Sequence, residues 1–401
     1  MRLLFLSLLD FSSFEERNIY TDLLREFIKN GHEVYCISPA ERRTGIKTHF
    51  EENGHLLRVR IGNTQKTNII EKGISTLMIE KQFVAAIRKY YSDLKFDLVL
   101  YATPPITFSG AIKYVKKRDG AKTYLMLKDI FPQNAVDLGI MKTTGLKGLI
   151  YKYFRHKEKK LYALSDSIGC MSEANMEYLL RHNPEVSRKC VEICPNSIEP
   201  IDMLPSQEQR IAIRTKYGIP LDKKVFVYGG NLGKPQGIPF LIDCLRSQKD
   251  NKDVFFLVVG YGTEYGRLRQ FIEKERPENV KLMKQLPKDD YDKMIAVCDI
   301  GMIFLDHRFT IPNFPSRLLP YMQARLPVLA VTDPTTDIGQ VAVSGKFGWR
   351  CESNNVEEFH QRIREITLTD DYSYKNNAWE YLCDFYSVHN TYLRCFAPLD
   401  K

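Results

Sequence analysis

The stretch KVFVYGGNLGKPQGIPFLIDCL, residues 224–245, decides the fold of the second half of the chain. An apolar run, VFVYGG, leads into a glycine-rich loop, NLGKPQG, and then into the apolar helical pattern IPFLIDCL. Strand, tight loop and helix in this order form the βα unit of a parallel sheet. Four glycines, at 229, 230, 233 and 237, allow backbone amides to approach a ligand, and a helix N-terminus favours a phosphate. Such turns also occur purely for tight packing.

The same alternation occupies the N-terminal half. Short apolar runs separated by helical periodicity predict a parallel sheet covered on both faces; these runs are LLFLSLL, EVYCISP, DLVLYAT, KTYLMLK, SIGCMSE and VEICP. This alternation of strand and helix patterns is interrupted by the polar stretch 201–210 and then begins again. We therefore predict an α/β protein with doubly wound domains at 1–200 and 205–375, followed by C-terminal helices at 376–401.

Composition narrows the class of protein. The chain has 401 residues and a formal net charge of +9, which suits an anionic ligand or an anionic membrane surface but is too weak to indicate nucleic acid. Nine unpatterned cysteines are typical of reduced thiols in a cytoplasmic protein. The N-terminal MRLLFLSLL is interpreted as a buried strand, because Asp10 follows at once without a cleavage site. No apolar run approaches the length of a membrane span.

Several well-known motifs are missing. The loop after the first strand lacks Gly-x-Gly-x-x-Gly, and a serine elbow, a Walker loop and a His-Glu-x-x-His helix are also absent. Asp290-Tyr291-Asp292 imitates an Asp-x-Asp metal motif. Because it follows Pro287 at a predicted helix start, complementing the helix dipole is the favoured interpretation.

Lys128 and Asp129 stand where a buried strand ends, and Pro132 then turns the chain out of the sheet. One interpretation is a solvated turn. The other places both side chains at the carboxyl edge of the sheet, where such folds bind ligands.

The segment 142–161 is strongly basic and contains interleaved apolar and aromatic residues. A basic amphipathic helix of this kind suits an anionic bilayer surface. The alternative, equally weighted, is a solvated face over an ordinary core stripe.

Taken in order, several segments resemble glycosyltransferase family 4, whose members are retaining, nucleotide-sugar-dependent enzymes of the GT-B fold. The matching segments are NGHEV (30–34), DLVLYATPP (97–105), SEAN (172–175), CPNSIE (194–199), YGGNLGKPQG (228–237), VVGYGTEYGRL (258–268), NVKLMKQLPKDDYDKMIAVCDIGM (279–302) and PSRLLPYMQARLPVLA (315–330). The resemblance spans essentially the whole chain. It implies two Rossmann-like domains that face each other across a cleft, with the C-terminal helices at 376–401 crossing back onto the N-terminal domain.

The resemblance also implies roles. The N-terminal domain would take the acceptor, with Asp129 and Lys128 as catalytic residues, and the C-terminal domain would bind the nucleotide sugar without a metal. The donor diphosphate would lie across the glycine loop and over a helix that begins near Ser316. The implied donor-binding residues are Gly230, Asn231, Lys234, Gln236, Gly237, Gln285, Leu286, Arg308, Asn313, Ser316 and Arg317.

The implied chemistry is hexosyl transfer from a UDP-sugar, as co-substrate, to a saccharide or lipid-linked acceptor. The sugar would be an N-acetylated amino sugar or a related hexose, and no separate cofactor is expected. PSRLL and GNLG-x-x-QG resemble most closely the enzymes that build bacterial surface polysaccharides such as capsule or O-antigen. We expect a cytoplasmic protein or one peripheral to the inner face of the membrane, which would give the basic segment 142–161 a purpose.

The chain departs from the family pattern in three places. Asn231 and Gln236 stand where many members carry an arginine and a lysine, and Lys128-Asp129 replaces a frequent His-Asp pair. Pro312 and Pro320 replace two glutamates, of which the second usually holds the ribose. Since proline is costly inside a helix, we predict that the helix starts near Leu319 or kinks there.

Two other functions share these features. A sugar-nucleotide epimerase would have the same fold and donor site, but the candidates Asp129 and His307 do not form a recognisable catalytic set. The three departures suggest a catalytically silent nucleotide-binding scaffold subunit, whereas Lys234 and the Ser316-Arg317 segment argue against it.

Overall fold

A computed structural model describes residues 1–64, 67–369 and 371–397. The strands are β1 (Arg2–Leu6), β2 (Glu33–Glu41), β3 (His49–Glu51), β4 (Leu56–Ile61), β5 (Leu98–Ala102), β6 (Lys122–Leu127), β7 (Ser167–Cys170), β8 (Val191–Ile193), β9 (Lys224–Asn231), β10 (Val254–Tyr261), β11 (Val280–Lys284), β12 (Ile300–Phe304), β13 (Val328–Thr332) and β14 (Gly348–Glu352).

The helices of the first half are α1 (Thr21–Lys29), α2 (Ile69–Tyr90), α3 (Ser109–Asp119), α4 (Gln133–Asp137), α5 (Gly145–Leu164) and α6 (Glu173–His182). Those of the second half are α7 (Gln207–Lys216), α8 (Ile238–Ser247), α9 (Tyr265–Glu275), α10 (Lys288–Ile295), α11 (Leu318–Gln323), α12 (Ile338–Ser344), α13 (Val356–Leu368), α14 (Ser373–Phe385) and α15 (Val388–Phe396).

The chain divides into two compact units. The first contains Met1–Glu199 together with the chain from Val388, and the second is Pro200–Ser387. The second unit therefore begins slightly before the predicted residue 205. Of the predicted C-terminal segment 376–401, only α15 joins the first unit, while α14 stays in the second. Residues 370 and 398–401 of the predicted ranges lie outside the described part of the chain.

The sheet of the first unit has the order β3-β4-β2-β1-β5-β6-β7-β8, parallel except for β3. Six of these strands were predicted, and β3 and β4 were missed. β4 was missed because Arg58 occupies a buried position in it, and a charged residue there interrupts the apolar run that predicts a strand. Arg58 is only 4% exposed, and its Nη2 pairs with Asp10 and its Nη1 with Glu51 at 3.4 Å. Its Nε has no hydrogen-bond partner among the described residues.

The sheet of the second unit is entirely parallel, in the order β11-β10-β9-β12-β13-β14. This is the doubly wound order, in which the direction of strand addition reverses between β9 and β12. Ligands of such sheets bind at this switch point, beyond the carboxyl ends of the strands. The glycine loop directly follows β9 and therefore lies at this switch point.

Candidate functional site

The glycine loop is a tightly tied turn between β9 and α8. Gly230 adopts φ +114°, a conformation that an L side chain rarely takes. Leu232 donates its backbone N–H to the carbonyl of Tyr261 at 2.7 Å, which anchors the loop to β10. The side-chain Oε1 of Gln236 accepts from the N–H of Gly233 at 3.1 Å, so this predicted donor-binding residue shapes the loop.

Two predicted donor side chains on this loop face solvent. Asn231 ends β9 and is exposed, and Lys234 is exposed within the short turn before Gly237. Among the residues that the structure describes, no acid pairs with Lys234. Gly237 is buried and leads directly into α8. The loop therefore offers one unneutralised cation and one amide to a ligand.

Tyr321 of α11 connects β9 and β12, the two strands at the switch point. Its hydroxyl accepts from the N–H of Gly229 at 2.9 Å and lies 3.3 Å from the carbonyl oxygens of Val227 and Met302. These contacts join the ends of β9 and β12 through one buried side chain of α11. Sequence reasoning missed this residue, although a tyrosine in an otherwise apolar helical stripe signals a buried hydroxyl that requires partners.

Arg317 lies beside the glycine loop. Its guanidinium stacks on the ring of Tyr228 at 4.3 Å, and its Nη2 is 3.7 Å from where a Cβ on Gly230 would be. The Nη1 atom is buried and has no hydrogen-bond partner among the residues that the structure describes. A buried donor without a partner costs free energy in the empty protein, which an arriving anion would recover. The structure thus holds an uncommitted cation at the predicted diphosphate position.

The helix after Arg317 tolerates its proline. α11 begins at Leu318, one residue before the predicted start, and no kink is present within it. Pro320 falls in the first turn, where a missing N–H breaks no intrahelical bond. The N–H groups of Leu318 and Leu319 donate to the carbonyls of Pro315 and Ser316. These two amides are therefore already engaged, whereas exposed Ser316 precedes them.

Arg308, in contrast to Arg317, is paired with an acidic side chain. Its Nε and Nη2 donate to the two carboxylate oxygens of Asp306, each at 2.8 Å. Against the opposing effect of burial, this pair holds the pKa of Asp306 below its usual value. Asp306 also donates its N–H to the carbonyl of Pro235, which ties the loop after β12 to the glycine loop.

The other predicted donor residues lie at the same edge of the sheet. Gln285 is exposed and Leu286 half-buried directly after β11. Asn313 donates its N–H to the hydroxyl of Thr336 at 3.1 Å, and Thr336 in turn donates to buried Asp333 at 2.9 Å. The segment before α11 is thereby attached to the end of β13.

The Asp-x-Asp imitation lies at the start of α10, as predicted. Asp290 pairs with Lys216 at 3.7 Å, and Asp292 accepts from Lys288 at 2.7 Å. Within the described parts of the chain, no group of three or more His, Cys, Asp or Glu side chains is arranged to hold a metal.

In the first unit, Lys128 and Asp129 directly follow β6, and their side chains have different neighbours. The amide of Asn134 donates to both carboxylate oxygens of Asp129 at 2.8 Å, and the Asp129 backbone is held by the hydroxyl of Thr103. Burial raises the pKa of Asp129 to about 6, although the bond from Asn134 and the N–H of Ile130 oppose the rise. This carboxyl group can therefore change its protonation state near neutral pH.

Burial lowers the pKa of Lys128, and its electrostatic neighbours are the thiols of Cys194 and Cys395. Cys395 belongs to α15, which packs on α1 in the first unit. The structure thus brings Lys128 together with cysteines that sequence reasoning had treated only as packed thiols. The adjacent carboxylate of Asp129 has Asn134 as its partner instead.

The basic segment 142–161 corresponds to α5. Phe154 and Leu161 pack into the core, but three apolar side chains of the N-terminal half point outward: Leu149 is 62% exposed, Ile150 53% and Tyr153 41%. The side chains of residues 146 and 147 lie outside the described part of the chain. No helix in the described ranges combines the length and apolarity needed to cross a bilayer.

Comparison with known proteins identifies the family. A model of Glycosyltransferase Family 4 matches residues 18–201, and a model of Glycosyl transferases group 1 matches residues 209–380. Between them they cover nearly all of both units. A probable glycosyltransferase of Pseudomonas aeruginosa, WbjE, is 22% identical over 311 residues, which is 77% of this chain and 74% of WbjE.

Two further proteins are similar over much of their length. WcaI of Escherichia coli K12, a putative colanic acid biosynthesis glycosyl transferase, is 22% identical over 279 residues, 68% of this chain and 67% of WcaI. The crystal structure of Anabaena HepE in complex with UDP superposes with a TM-score of 0.68 at 15% identity and covers both chains completely. The chain therefore belongs to glycosyltransferase family 4 and has the GT-B fold.

Proposed function

We propose that this glycosyltransferase transfers a hexose or an N-acetylated amino sugar from a UDP-sugar to a saccharide or lipid-linked acceptor in surface-polysaccharide synthesis. In this proposal the second unit binds the donor and the first unit the acceptor. Transfer proceeds with retention and without a metal, as the family resemblance implies.

The observation that carries the donor half of the proposal is the uncommitted guanidinium of Arg317 beside the glycine loop. Departure of the leaving nucleotide builds negative charge on its β-phosphate, and preorganised cations and amides stabilise that charge. We assign this role to Lys234 and Arg317, because Arg308, the other predicted cation among the described residues, is neutralised by Asp306. A diphosphate would bind between them.

UDP is the preferred nucleotide because HepE, which shares the fold, was crystallised with UDP and with UDP-glucose. The role in polysaccharide synthesis is supported by the names of the relatives, which include a lipopolysaccharide glycosyltransferase, WaaG, and the colanic acid enzyme WcaI. Neither the fold nor the glycine loop distinguishes among sugars.

For the acceptor half, we assign Asp129 as the group that orients the acceptor hydroxyl or receives its proton. A carboxylate with a pKa of about 6 is ionised at neutral pH and remains basic enough to share a proton. Lys128 would act through charge at the same strand end. Its burial beside Cys194 and Cys395 supports an electrostatic role over direct proton transfer.

We further propose that α5 docks on an anionic membrane surface, where a lipid-linked acceptor would be found, so that the enzyme acts at the inner face of the membrane. The exposure of Leu149, Ile150 and Tyr153 favours this over the alternative of an ordinary core stripe. Lys152 and Lys160 are exposed on the same helix and supply the positive charge.

One experiment tests the proposed function. Thermal unfolding is followed with UDP, GDP, ADP and dTDP, and a ligand at 100 times its dissociation constant stabilises by about 2.7 kcal/mol. The purified protein is then incubated with radiolabelled UDP-sugars, with and without a membrane extract. Sugar transfer that requires the extract supports a transferase, epimerisation of the donor alone supports an epimerase, and UDP binding without either reaction supports a scaffold.

A further inference from the structure

Tyr261 is an exposed aromatic side chain at the carboxyl edge of the sheet of the second unit. It ends β10 and is 59% exposed. Among the described residues, no aromatic ring stacks on it and no cation lies over it. An exposed aromatic ring needs no explanation by itself, but this one lies beside the glycine loop, at the edge where doubly wound sheets bind ligands.

The backbone that carries the ring is rigid. The carbonyl of Tyr261 accepts from the N–H of Leu232 at 2.7 Å. A Cβ on the next residue, Gly262, would collide with the backbone of Leu232, so the two loops are in close contact. Because the backbone is anchored, only the rotamer of the side chain has to be ordered when a ligand stacks on the ring.

Strand register gives the face on which the ring lies. Tyr261 is paired with Asn231, and Val259 with Gly229. Side chains two residues apart lie on the same face, and a Cβ on Gly229 would point at the hydroxyl of Tyr291 in α10. Tyr261 and Asn231 therefore share the face that α10 covers. Leu286, which precedes α10, belongs to the same corner of the sheet.

We infer that Tyr261 stacks on the nucleobase of the donor and positions the nucleoside. This inference rests on the proposed function, because it takes the diphosphate to lie between the glycine loop and Arg317. A nucleoside attached to that diphosphate and extending toward β10 and β11 would meet the Tyr261 ring first. Stacking is indifferent to the identity of the base, so this contact would supply affinity without selecting the base.

The test compares UDP with inorganic pyrophosphate, which keeps the phosphates and lacks the base. Isothermal titration calorimetry is carried out on the wild type and on Tyr261→Ala and Tyr261→Phe. We expect Tyr261→Ala to weaken UDP binding about tenfold, within the range measured for base–aromatic stacking, and to leave pyrophosphate binding unchanged. Tyr261→Phe should stay within about twofold of the wild type. Tyr372→Ala, at a 77% exposed tyrosine of the same unit, is the matched control.

The outcomes separate the two proposals. If the wild type binds UDP and Tyr261→Ala binds it equally well, the stacking role is wrong and the donor site stands. If Tyr261→Ala weakens the binding of UDP and of pyrophosphate equally, the stacking role is wrong and the residue instead maintains the structure of the loop. If the wild type binds neither ligand, the proposed donor site itself fails.

Discussion

Replacing Arg317 by alanine is the most direct test of the donor site, because this guanidinium has a buried Nη1 without a partner and lies over the ring of Tyr228. Hydrogen bonds to charged groups contribute about 1.5–3 kcal/mol. At 1.4 kcal/mol per tenfold, Arg317→Ala should therefore weaken UDP binding by about 10- to 150-fold. Lysine at the same position keeps the charge but loses the planar fork, so we expect an intermediate loss.

The same substitution should have a small effect on folding. The stacking on Tyr228 contributes about 0.5–2 kcal/mol, and removal of an unsatisfied buried donor offsets part of that loss. A net cost of about 1 kcal/mol lowers the melting temperature of a unit of this size by about 2–4 °C. Binding is measured by titration calorimetry with UDP, and folding by circular dichroism.

Arg246→Ala is the matched control. Arg246 lies on α8 of the same unit, where it pairs with Asp243 and Glu275 on the surface. It should leave the UDP dissociation constant unchanged. A folded Arg317→Ala protein that binds UDP as tightly as the wild type would refute the assignment of the diphosphate to this position.

Three other perturbations follow from the geometry. Asp129→Asn should lower kcat and remove the rise of kcat/KM through an apparent pKa near 6 that we expect for the wild type. Because the folded pKa of Asp129 is raised above its unfolded value of about 3.9, its contribution to stability is present below that pH and is lost as pH rises through about 6. Tyr321→Phe leaves the N–H of Gly229 without its acceptor and should cost about 1–3 kcal/mol in urea denaturation. The double substitution Leu149→Asp with Ile150→Asp should abolish co-sedimentation with anionic vesicles while UDP binding is retained.

Each of these has a contradicting outcome. Persistence of the pH dependence in Asp129→Asn would assign it to another group. Unchanged stability of Tyr321→Phe, relative to the exposed Tyr372→Phe, would show that water replaces the hydroxyl. Leu368→Asp removes a side chain that is 78% exposed in the second unit, and an equal loss of vesicle binding there would point to a nonspecific charge effect.

The sequence predicted the parallel sheets because their strands are continuous apolar runs bounded by loops, as β9 and β13 show. It failed at β4, where buried Arg58 interrupts the apolar run and pairs with Glu51 of β3 and with Asp10, a residue that is distant in sequence. Such compensation arises only from the tertiary fold. A local pattern cannot register it.

The site shows the same division. The glycine loop could be recognised from its local pattern of strand, glycines and helix, whereas the role of Arg317 came from the resemblance to the family and stays a prediction. Which polar side chains are available to a ligand could not be predicted, because this depends on contacts such as Arg308 with Asp306 and Gln236 with Gly233. The unpartnered Nη1 of Arg317 likewise becomes evident only when its surroundings are known.

The departures from the family pattern reduce the number of cations near the glycine loop. Asn231 and Gln236 replace two cations, and Arg308 is neutralised, which leaves Lys234 and Arg317 near the glycine loop. Two cations roughly balance the charge of a bound diphosphate. An additional positive charge would bind the ground state and the leaving nucleotide alike, and such uniform binding does not raise kcat. With Pro320 in place of a ribose-binding carboxylate, the nucleoside must be held by other contacts, and the stacking surface of Tyr261 would supply one that requires no charge.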